Sequence, residues 1–77
     1  MPTNLEAGVQ RAMVATLVAS GVRAQAASAR VSANKLAAGV GHIQIAFKQA
    51  QRSGGGDDEA CWDQAFQSLK AWTLANT

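Results

Sequence analysis

Gln51-Arg52-Ser53-Gly54-Gly55-Gly56-Asp57-Asp58 is the stretch on which the fold turns. Three consecutive glycines end any helix that enters them, and a glycine just past Arg52 can cap its C-terminus. Arg52 suits the negative end of that helix, while Asp57 or Asp58 suits the start of the next, with further acids in its first turn. A connector of four residues, 53–56, is short enough to fold the following helix back antiparallel on the preceding one. The expected elements are a helix over 22–52, the glycine linker over 53–56 and a helix over 57–75.

Upstream of the break the apolar residues keep helical spacing. Val22, Ala26, Ala29, Ala33, Leu36, Val40, Ile43, Phe47 and Ala50 step by alternating fours and threes, a heptad seam. Downstream, Trp62, Ala65, Phe66, Leu69 and Trp72 share one face. Folded back, Leu36, Val40, Ile43 and Phe47 would meet Trp62, Phe66, Leu69 and Trp72.

Further upstream, Thr3-Asn4-Leu5-Glu6 reads as a capping box that opens a first helix over 4–20. Leu5, Val9, Met13 and Thr16 form its stripe. On an unbroken helix this stripe and the seam from Val22 would lie on nearly opposite faces, so the chain is expected to bend near Gly21. Gly39 and Gly41 mark either a kink or a close packing contact in the second helix. The fold expected is therefore all-α and a single domain over 1–77: a long helix bent near Gly21, a glycine turn and an antiparallel C-terminal helix. It amounts to a helical hairpin or three-helix arrangement.

Composition bears on what covers these faces. Of the 37 hydrophobic residues among 77, 17 are alanine, and only four are aromatic. Chains this short bury only about 60% of their unfolded surface. Met13, Val14, Leu17 and Val18 make the first helix apolar almost all round, so they are expected at a subunit interface of a homo-oligomeric bundle, a dimer foremost. The single cysteine excludes an intrachain disulfide framework and a multi-cysteine zinc site. The longest apolar stretch, 12–19, is far short of the roughly 20 residues of a membrane span. Ala24-Gln25-Ala26 resembles a leader cleavage site, but the apolar run before it is weak and Arg23 interrupts it. A cytoplasmic protein is expected, and a lone thiol suits a reducing compartment.

The net charge of +2 divides into +5 over 1–56 and −3 over 57–77. At 100° per residue, Arg23, Arg30, Lys48 and Arg52 project within about 40° of each other on a continuous helix, a flank able to steer an anionic partner. Tryptophan is enriched in binding hot spots, which makes Trp62, Phe66 and Trp72 candidate apolar anchors. The leading expectation is a non-catalytic adaptor, inhibitor or regulator that binds another protein through these residues and occludes its surface.

Two other functions are carried forward. Setting Val31-Ser32 at the turn of a helix-turn-helix puts Ala26 at its small position and Leu36 at an apolar one. Arg30, Ser32, Asn34 and Lys35 would then face DNA. Against it, Arg30 stands where the turn glycine belongs, and Gln25 and Gly39 occupy apolar positions. The other is a self-assembling structural subunit joined through the alanine seam. Catalysis has little to work with: His42 is the only histidine and has no acid near it in sequence, and Cys61 sits among acids that oppose its thiolate. No metal or cofactor is expected.

Overall fold

In a computed structural model, residues 4–77 are described. They form four helices: α1 (Asn4–Ala19), α2 (Ala24–Arg30), α3 (Ala33–Arg52) and α4 (Asp58–Asn76), with no strand among the described residues. Thr3 of the expected capping box lies outside them.

The expected long helix is cut twice, and each cut has a local cause. At Gly21 the chain does not bend but stops. Gly21 adopts φ +107°, and its N–H donates to the Val18 carbonyl at 3.0 Å, while the Val22 N–H donates to the Leu17 carbonyl at 3.0 Å. This pair of bonds is a Schellman cap, and Val22 packs against the core cluster that holds Leu17. The second cut, at Val31-Ser32, was expected only for the helix-turn-helix alternative. The Ser32 hydroxyl accepts from the Lys35 N–H at 3.3 Å and opens a new helix, so 22–52 is two helices rather than one.

This cut changes the phase of the seam. Ala26, Ala29 and Ala33, expected on it, are exposed, and Ala27 and Val31 are buried instead. Packing of α2 on α1 turns Ala27 inward; beyond Ser32 the seam resumes with Leu36, Val40 and Ile43.

The α3–α4 connection behaves as its glycines require. Gly54 has φ +70°; the Gly55 N–H donates to the Ala50 carbonyl at 2.9 Å and the Gly54 N–H to Gln51 at 3.3 Å, a second Schellman cap. Asp57 then caps α4 by accepting from the Ala60 N–H at 2.9 Å. Phe47 pairs with Trp62, His42 with Trp72, and Lys35 with Asn76, so α3 and α4 run in opposite directions.

Across this pair lies α1, touching both. Val9, Met13 and Leu17 enter a core with Ile43, Ala65 and Leu69. The crossing on α3 is set by Gly39: a Cβ there would sit 2.8 Å from Met13 Sδ. Gly41, one turn-half away, meets nothing within 4 Å. Gly41→Ala is therefore expected to stabilise by about 0.5–1 kcal/mol through helix propensity, read as a higher urea midpoint. A lower midpoint would mean that α3 needs the glycine for another reason.

The radius of gyration, 12.4 Å, is near the ~11.5 Å of a compact single chain of this length.

Candidate partner-binding surface

The residues singled out from the sequence fall into three groups. Trp62, Phe66 and Trp72 are half-buried against the core. The Trp62 ring stacks on Phe47 at a centroid distance of 4.0 Å, and Trp72 stacks on His42 at 5.6 Å. His42 is further fixed by Ser68, whose Oγ lies 2.9 Å from its Nε2. The two tryptophans thus join α4 to α3.

The second group is the basic flank. Arg23, Arg30, Lys48 and Arg52 are all exposed. The cut at Val31-Ser32 removes the single helix on which they shared a face: Arg23 precedes α2, Arg30 ends it, and Lys48 and Arg52 lie in the second half of α3. Among the residues considered for DNA, Arg30, Ser32 and Asn34 are exposed. Lys35 is committed elsewhere, its Nζ donating to the Asn76 carbonyl at 2.6 Å near the negative end of α4.

The third group is the expected subunit interface, and the structure divides it. Met13 and Leu17 are 0% and 2% exposed within this one chain, because α1 crosses both α3 and α4 and buries that side itself. Both side chains are enclosed within the single chain. Val14 is half-buried, and Val18 is 44% exposed.

No reacting constellation forms among the described residues. His42 has a hydroxyl partner but no carboxylate bonded to it among the described residues. Cys61 is fully buried, its thiol directed at the Gly56 carbonyl at 3.8 Å. No group of three metal-ligating side chains gathers among the described residues, and no described helix is long and apolar enough to cross a membrane.

On the outward side of α1 the structure sets Val14 and Val18 beside Ala15, Ala19 and Leu74, which the sequence did not single out. Two open grooves run along this side, each of about 420 Å³. One, toward α4, is lined by Ala12, Thr16, Ala19, Lys70 and Leu74; the other, toward α2, by Arg11, Val14, Val18 and Ser28. Ala15 lines both and forms the crest between them. Leu74 is 55% exposed beside one apolar groove and Val18 44% exposed beside the other, so the exposed apolar side chains sit together as a patch. The signal was present in the all-round apolar character of residues 12–19, which needs a cover on two sides; the fold supplies one. No protein-family model, curated protein or solved structure matches this chain.

Proposed function

We propose that the chain is a small non-catalytic protein-binding module, an adaptor, inhibitor or regulator, that occludes a partner's surface with the outer ridge of α1. One observation carries this: Val14, Ala15, Val18 and Ala19 of α1, with Leu74 of α4, form an apolar ridge and two grooves that no part of the described chain covers. Exposed apolar surface of this kind marks interaction sites, and a grooved helical face suits a partner helix. The tryptophans contribute by holding α3 and α4 in place behind the ridge.

The test is affinity capture from source lysate with mass spectrometry, run against a Val18→Asp/Leu74→Asp control. Both positions are exposed, so the control should keep its fold. A protein enriched on the unmodified chain alone supports the function, and equal recovery on both overturns it. Light scattering on the same two samples separates a fixed dimer from open-ended assembly.

A second function, DNA binding, is favoured by the Ser32 cap, which gives α2 and α3 a helix–turn–helix order. The commitment of Lys35 to Asn76 weakens it. A gel shift with mixed duplex DNA at low salt, lost in Arg23→Ala/Arg30→Ala, would make DNA the partner instead.

A further inference from the structure

The charges around the α1 ridge restrict what can seat on it. Arg11 stands in the lining of one groove and Lys70 in that of the other, and no carboxylate lines either. Neither cation has an ion-pair or hydrogen-bond partner among the described residues. The chain's own acids are turned away. Glu6 lines a separate groove with Ala33, Leu36, Ala37 and Val40, on the side of α1 that meets α3. Asp63, the nearest acid along α4, is two turns before Lys70, about 10 Å along the axis. That is one Debye length at ordinary salt, so Asp63 does little to neutralise the groove. An apolar crest is thus bordered on both flanks by unpaired positive charge.

We infer that the occupant of this ridge is an amphipathic helix of another protein whose apolar edge is flanked by carboxylates. This rests on the protein-binding function proposed above and adds the partner's chemistry. The small side chains at Ala12, Ala15 and Ala19 let such a helix approach at the short end of the usual 8–10 Å interaxial distance. A second copy of this chain is a poor occupant: two-fold pairing on the ridge would gather Arg11 and Lys70 of both copies around one apolar strip, with no acid to offset them.

Two fluorescent synthetic peptides provide the probe. Both carry the same leucines at helical spacing; one has glutamates on the flanks and the other lysines. Titrated with the full chain at low salt, the glutamate peptide should bind about tenfold tighter, the sum of two exposed attractions gained and two repulsions avoided. The ratio should shrink toward unity at about 1 M salt. Arg11→Glu/Lys70→Glu, at exposed positions where thermal melting should be unchanged, should reverse the preference. Val18→Asp/Leu74→Asp should weaken both peptides at least tenfold. Equal binding of the two peptides at low salt, still lost in Val18→Asp/Leu74→Asp, would overturn the charge assignment and leave the ridge as a protein-binding surface. Binding of neither peptide, together with an empty lysate capture, would overturn both.

Discussion

Met13→Ala should lower the free energy of unfolding by about 2–5 kcal/mol, the range found for truncating a fully buried large side chain. Met13 has no exposed surface, and it stands where α1 crosses α3, between the core residues Val9 and Leu17 of its own helix. Small domains rarely exceed roughly 5–15 kcal/mol in total, so this substitution alone should bring the chain near its unfolding midpoint at mild urea. The crossing also makes a finer claim. A methyl at position 39 would lie 2.8 Å from Met13 Sδ and 3.3 Å from Val9 Cγ1, inside normal contact. Gly39→Ala gains about 1 kcal/mol of helix propensity and loses about 1–3 kcal/mol to overpacking, so alone it should be neutral to destabilising. With Met13→Ala the space opens, and the same change should become stabilising. The two substitutions should therefore be non-additive by about 1–3 kcal/mol in a double-mutant cycle of urea unfolding. A loss below about 1 kcal/mol for Met13→Ala, with a midpoint that moves with protein concentration, would return Met13 to a subunit interface and disprove the intrachain core.

How much of this was legible in the sequence follows from range. The Gly54–Gly56 turn, the Asp57 cap and the facing of residues 36–47 by 62–72 are set by neighbours or by one short connector, and they could be read directly. Ser32 is as local, yet it is surrounded by alanines whose propensity favours a continuous helix, and only the cap bond decides between the two. The basic flank went with it: an angle summed over 23–52 holds only if every intervening residue is helical. Met13 and Leu17 were ambiguous for a different reason. An all-round apolar helix states that it must be covered, not by what, and the path of α1 across α3 and α4 is a long-range fact fixed by Gly39. The same ambiguity hid the ridge, since Ala15 and Val18 look no different in sequence from Met13 and Leu17. The aromatic face was legible as a face, but its stacking on Phe47 and His42 was not.

Trp62→Ala decides between those two roles. An anchor pointing into solvent would cost little in the free chain and much in a complex. Trp62 instead stacks on Phe47 across the α3–α4 seam at 4.0 Å with an interplanar angle of 23°, beside the glycine turn that joins the two helices. Full burial of a tryptophan is worth about 3–5 kcal/mol on truncation, and Trp62 is half-buried, so the expected loss is about 2–3 kcal/mol of unfolding free energy. Stacking adds a pair term beyond burial, so Phe47→Ala and Trp62→Ala should be non-additive by about 0.5–1.5 kcal/mol. The loss should also be local in origin. Separation of α4 from α3 near the turn should speed hydrogen exchange in the first turns of α4 and the last turn of α3 ahead of α1. At the α1 ridge, whose grooves Trp62 does not line, the glutamate-flanked peptide should bind Trp62→Ala as tightly as the unmodified chain at temperatures where both are folded. A variant of unchanged stability whose peptide affinity collapses would make Trp62 an anchor after all, and would move the partner surface from α1 to the α3–α4 face.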